Sequence, residues 1–148
     1  MDREARQQAL EALEPFVGEW TLTASLAPAV EGKATFEWTL DRQLLVFRSE
    51  IPVEGAPEGL SIIALNHDNP AFTMHYFDSR GVVRLYEMTI EDGAWTLQRD
   101  SADFTPLPFH QRYRGRLSDD GRRIDGRWEK SDDGSEWKLD FELNYVRA

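Results

Sequence analysis

Cysteine is absent from this 148-residue chain, and histidine is scarce, at three residues. Without a thiol there can be no disulfide framework, cysteine nucleophile, CxxC redox pair or iron–sulfur cluster, and the common zinc sites lose their usual ligands. Cationic residues are also in deficit: 17 Lys and Arg face 27 Asp and Glu, for a formal net charge of −10. Phosphate backbones and anionic bilayers are held mainly by Lys and Arg, so no nucleic acid and no membrane is expected as a partner. Long apolar runs are missing too. The longest charge-free stretch, Trp20 to Val30, is interrupted by Pro28 and is too short to span a bilayer. The opening segment DREARQQALEALE has no apolar core of the kind a secretory signal needs, so a cytoplasmic location is expected.

What the chain does contain is aromatic surface to bury. Hydrophobic residues make up 41% and aromatics 11%, with five Trp and eight Phe, which excludes a disordered chain. The length suits one domain over residues 1–148 with a core that needs no staple. Ala5, Ala9, Leu10, Ala12 and Leu13 recur near helical spacing, predicting a helix over 2–14 that Pro15 ends. Its narrow apolar stripe fits a lid on something larger. From Gly18 to Arg147 the texture changes to period-two segments rich in aromatic and β-branched residues, about ten strands in succession. They are predicted near 19–26, 33–40, 43–51, 60–66, 72–78, 82–91, 94–100, 109–118, 122–130 and 136–146. Asp92-Gly93, Asp120-Gly121 and Asp133-Gly134 are tight-hairpin signals, and Asn69-Pro70 and Ser79-Arg80-Gly81 fit further hairpins. No segment after residue 15 could form a crossover helix. The expected fold is therefore all-β: an antiparallel up-and-down barrel of about ten strands, closed to remove its edges and capped at one end by the helix.

Gly18-Glu19-Trp20, opening the first strand after a short helix, resembles the Gly-X-Trp signature of the calycin superfamily of lipocalin-like and fatty-acid-binding barrels. That resemblance implies a Trp20 plugging one barrel end, with Arg147, near the end of the last strand, covering its ring. His75-Tyr76-Phe77-Asp78-Ser79-Arg80-Gly81-Val82-Val83-Arg84, with Tyr86-Glu87-Met88 and Gly126-Arg127-Trp128-Glu129, is similar to a family of uncharacterised bacterial proteins of about this length, itself assigned to calycin-like barrels. The family implies fold and size but no reaction. The strand count is nearer the fatty-acid-binding and nitrobindin-like barrels than the secreted lipocalins.

Alternate residues of a barrel strand face inward, so candidate binding residues follow from parity. If Ser79-Arg80-Gly81 is the loop, Asp78 pairs with Val82, Tyr76 with Arg84, Met74 with Tyr86 and Phe72 with Met88. The face carrying Met74, Tyr76, Arg84, Tyr86 and Met88 is taken as inward, an adaptable apolar wall in which Arg84 could receive an anionic group. A one-residue slip would turn His75 and Glu87 inward instead. Arg84-X-Tyr86 also resembles the Arg-X-Tyr pair that holds the ligand carboxylate in fatty-acid-binding proteins, although it lies mid-chain here. Parity adds Phe36, Trp38, Arg48, Ile62, Trp95, Leu97, Arg99, Gln111, Tyr113 and Trp128, most of them expected as packing. A structural alternative has Arg84 paired with Asp78, Glu50 or another inward acid, holding the barrel without binding anything.

These readings favour binding of a small hydrophobic or amphipathic molecule with a polar or anionic group. Other classes remain. An enzyme could act in the cavity through Tyr76, Asp78 and Arg84, or through His75 with Glu87, although no nucleophile elbow or ordered triad is present. A barrel filled by its own aromatics could act through its surface or as a homodimer. No cofactor or metal is expected; haem, bound through a His near the carboxyl end in nitrobindin-like barrels, would here have to use His75 in the disfavoured register. Arg112, Arg114, Arg116, Arg122, Arg123 and Arg127 interleave with Asp119, Asp120, Asp125 and Glu129, so cross-strand ion pairing accounts for them.

Overall fold

Asp2 caps helix α1 (Arg3–Leu10), its carboxylate accepting from the Ala5 amide at 2.7 Å. The helix stops at Leu10 rather than Glu14, and the chain tightens into a 3₁₀ segment, Glu11–Phe16, that contains Pro15. Proline lacks the amide an α-turn would use and would press on the carbonyl four residues back. The tighter turn also places Leu13 and Phe16, three residues apart, on one face, and both are buried with Leu10. In this computed structural model residues 2–67 and 71–148 are described, so the expected Asn69-Pro70 hairpin falls outside the described residues.

Ten strands follow: β1 (Gly18–Ala24), β2 (Gly32–Thr39), β3 (Leu44–Glu50), β4 (Gly59–Leu65), β5 (Phe72–Asp78), β6 (Val83–Glu91), β7 (Ala94–Arg99), β8 (His110–Leu117), β9 (Arg123–Ser131) and β10 (Lys138–Arg147). Each pairs antiparallel with its neighbours in sequence, and β1 pairs with β10 to close the barrel. Closure leaves no edge strand in the sheet. At Asp92-Gly93 both residues have positive φ, 49° and 79°, as a two-residue primed turn requires. Around Ser79-Arg80-Gly81, Asp78 and Val82 close the loop and Gly81 sits at φ 82°. The expected register of β5 and β6 is the observed one: Tyr76 opposes Arg84, Met74 opposes Tyr86 and Phe72 opposes Met88.

One end of the barrel is plugged. Leu10, Leu13 and Phe16 enter it and join Trp20, Phe36, Leu45, Ile63, Phe72, Met88, Trp95 and Ile124 in one buried cluster. Arg6 ties α1 to the rim, donating to the Gln43 side chain at 2.9 Å and to the Leu65 and Asn66 carbonyls at 3.2 Å. Trp20 is 1% exposed, its indole N–H donates to the Phe16 carbonyl at 2.8 Å, and the Arg147 guanidinium lies 4.1 Å above its ring. Gly18 has φ 123°, and a Cβ there would stand 2.6 Å from the Arg147 guanidinium. The glycine is thus needed for both its backbone conformation and the passage of the arginine. Among the described residues no helix is long and apolar enough to cross a membrane.

Candidate functional site

Toward the other end the core gives way to a cavity of about 810 Å³, within the range of small-molecule sites. Its deep wall comes from inward positions of the strands, among them Leu22, Phe47, Met74, Tyr86, Leu97, Tyr113, Trp128 and Tyr145, and its mouth from Leu26, Ala27 and the segment 51–57.

Of the residues singled out by parity, Met74, Tyr76, Arg84, Tyr86, Gln111 and Tyr113 stand in this wall, with Leu97 and Trp128. Four others do not. Arg48 is exposed on the outside of β3, because Leu45 and Phe47 take the inward positions; adjacent apolar Val46 and Phe47 left that parity ambiguous. Trp38 lies at the plugged end, where its indole N–H donates to Glu14 at 2.9 Å and the Arg42 guanidinium stands 4.8 Å over its ring. Met88 is buried in the packed core opposite Phe72 rather than in the cavity wall.

Arg99 is only 1% exposed yet is absent from the wall. It binds Asp103 through Nε at 2.9 Å and Nη2 at 3.0 Å, and Nη2 also donates to the Thr105 and Pro106 carbonyls at 2.6 and 3.2 Å. Its function is to pin the segment joining β7 to β8. The Arg99 hydrogen bonds hold the Asp103 carboxyl well below the usual carboxylate range. The outward-facing cations are accounted for in part: buried Glu129 gathers Arg112 at 2.8 Å and Arg114 at 3.0 Å across the strands and Arg127 at 3.8 Å along its own, Arg123 pairs with Asp125 at 3.0 Å, and Arg116 donates instead to the Asp92 carbonyl at 2.9 Å.

The charged groups in the cavity wall differ in one respect. Arg80 is paired with Asp78 at 2.6 Å and Lys130 with Asp140 at 3.5 Å, whereas Arg84 meets no carboxylate among the described residues. Asp78, proposed as its partner, instead accepts from Arg80 and from the Tyr76 hydroxyl at 2.7 Å. Glu50, the other proposed partner, is exposed at the rim. Burial opposes ionisation of Asp78, but the bonds from Arg80 and Tyr76 outweigh it and hold the pKa at about 2. The same burial and the adjacent Asp78 charge push the Tyr76 hydroxyl pKa far up, which makes Tyr76 a poor proton donor.

Arg84 Nη1 makes a long contact, 3.4 Å, with Gln111 Oε1, and Nε is buried without a partner. The Tyr86 hydroxyl donates to the same Gln111 oxygen at 2.9 Å, so the amide nitrogen of Gln111 remains as a second donor beside Arg84. Burial raises the Tyr86 pKa while Arg84 opposes the rise. Tyr113 lies flat against two glycines: a Cβ at Gly126 would collide with its hydroxyl, which spans to the Leu143 carbonyl at 2.9 Å. The Tyr145 hydroxyl, in the wall, bonds to no described residue.

Parity reasoning missed Phe47, Ser61, Lys130, Phe141 and Leu143 in the wall. The β10 members were hidden by an irregularity between Leu139 and Phe141 that resets which residues face inward. His75 faces outward, opposite Ile62 and Leu85, and no histidine lines the cavity. The wall therefore does not fit a haem held by histidine. Among the described residues, no three His, Cys, Asp or Glu side chains come together as a metal site.

No family model and no curated protein matches the chain. Among solved structures it is similar to Rv2717c from M. tuberculosis, with 13% identity, a TM-score of 0.62, and coverage of 95% of this chain and 97% of that one. That likeness concerns the fold: a ten-stranded antiparallel barrel, an architecture consistent with small-molecule binding.

Proposed function

We propose that this chain is a calycin-like binding barrel whose cavity takes a small, largely apolar molecule with its anionic group at Arg84. The observation that carries the reading is a half-buried guanidinium in the wall of an apolar cavity, its Nε buried without a partner and, among the described residues, no carboxylate within ion-pairing distance. Buried cations are ordinarily paired, because an uncompensated buried charge is costly. A ligand carboxylate would supply the missing partner through Arg84, with the Gln111 amide as a second donor and Tyr86 fixing the orientation of that amide.

A cavity enzyme finds less support. Tyr76 is committed to Asp78, Asp78 to Arg80, and His75 lies outside, so among the described residues none of the candidate acid–base groups is aimed at the ligand space.

Calorimetric titration of apolar carboxylates, alkyl and aryl, against their neutral primary amides tests the proposal. Carboxylates should bind more tightly than the amides, and Arg84→Leu should weaken them at least about tenfold, the scale of a lost charged hydrogen bond. The same substitution should leave thermal stability unchanged or raise it, since it removes an unpaired charge. If no carboxylate binds, or if Arg84→Leu binds them unchanged, the proposal fails.

A further inference from the structure

The cavity wall has an order that the anion site alone does not require. Six of the eight aromatic rings that line it form a chain of contacts: Tyr76 to Tyr86 at 6.3 Å between centroids, Tyr86 to Trp128 at 5.6 Å, Trp128 to Tyr113 at 5.3 Å, Tyr113 to Tyr145 at 6.5 Å and Tyr145 to Phe47 at 6.2 Å. They come from strands on every side of the barrel, β3, β5, β6, β8, β9 and β10, so the arc crosses the cavity instead of forming a local patch. It begins at the two tyrosines that flank Arg84: Tyr76 opposes Arg84 across the β5–β6 pair, and Tyr86 lies two residues along β6.

Four of the six rings are also held in place. Phe47 stacks on Phe36 of the core at 4.2 Å, Tyr113 is bonded to Leu143, Tyr86 to Gln111 and Tyr76 to Asp78. A fixed ring presents its negative face or positive edge at a set angle, which rewards a partner that is itself flat and adds to what area burial alone supplies. A flexible alkyl chain gains only from the area and loses rotamer freedom on ordering against such a wall.

Resting on the reading of Arg84 as an anion site, we propose that the ligand class is the planar aromatic acids: a fused or conjugated ring system against the half-buried Trp128, its carboxylate at Arg84 and Gln111. The wall selects by shape and ring electrostatics, and Arg84 selects by charge.

Calorimetry with 1-naphthoate and undecanoate, acids matched in carbon number, separates the two contributions. 1-Naphthoate should bind about tenfold more tightly, although undecanoate has more apolar surface to bury. Trp128→Leu should weaken 1-naphthoate roughly three- to tenfold and leave undecanoate within about twofold. Trp128→Met, which keeps apolar volume without the ring, provides the same comparison should Trp128→Leu fail to fold. Undecanoate binding as tightly as 1-naphthoate, with the Arg84 dependence intact, would overturn the aromatic assignment and leave the anion site standing. Binding of neither acid would overturn both.

Discussion

At the scale of single residues, Asp78 shows how the mouth is made rigid. Its carboxylate takes hydrogen bonds from Arg80 Nε and Nη2, the Arg80 amide and the Tyr76 hydroxyl, which makes it the keystone of the β5–β6 turn. Its folded-state pKa, about 2, is below the ordinary carboxylate value. The stabilisation is therefore fully present above about pH 4 and is lost as pH falls from there through 2. Urea unfolding followed as a function of pH should show stability declining across that window, with a flatter acid limb in Asp78→Asn. An unchanged acid limb in the variant would remove Asp78 from the account. Arg84, by contrast, has no such partner, and that difference between two neighbouring charges is the basis for assigning one to structure and the other to binding.

At the scale of elements, the barrel has a seam. β6 and β7 pair only from Glu87 to Glu91, so the first residues of β6 have no strand beside them on that side. Side chains of the β7–β8 connection fill the gap: Asp103 accepts from the Leu85 amide at 2.7 Å, and Thr105 accepts from the Val83 amide at 3.3 Å and donates to the Val83 carbonyl at 2.6 Å. Arg99 clamps both residues in place. Asp103→Ala should expose this seam, seen as faster hydrogen exchange at Val83 and Leu85 and earlier proteolysis between 101 and 108, with the β1–β10 ladder unaffected. Protection unchanged at those two amides would contradict the arrangement.

The same elements show what the sequence makes legible. Strand positions, the β5–β6 register and the inward face of that hairpin follow from alternation and one glycine turn, because a half-buried sheet imposes a period of two. Arg99 carries the same inward parity, but no pattern reveals that a connection folds back to occupy its Nε and Nη2. Arg48 and the β10 wall were obscured for local reasons, a pair of adjacent apolar residues and a register irregularity, and Trp38 because its partner, Glu14, comes from outside the sheet. Local periodicity writes the strands; contacts between distant segments decide which polar residues are spent.

At the scale of the whole molecule, closure depends on the first and last strands meeting, and Trp20 and Arg147 sit directly opposite each other at that junction. Arg147 also donates to the Pro15 and Val17 carbonyls, joining the plug to both strands. Trp20→Ala should cost about 3–5 kcal/mol in denaturant unfolding, the usual scale for a buried aromatic truncation. A loss much smaller than that would mean the plug is held without the clasp. The five tryptophans divide by place: Trp20 and Trp95 are sealed in the core, Trp38 lies under Arg42, Trp137 lies under Arg112, and only Trp128 faces the cavity. Occupancy should therefore change the emission of one indole over four steady ones, which gives the barrel a built-in optical gauge of its own filling.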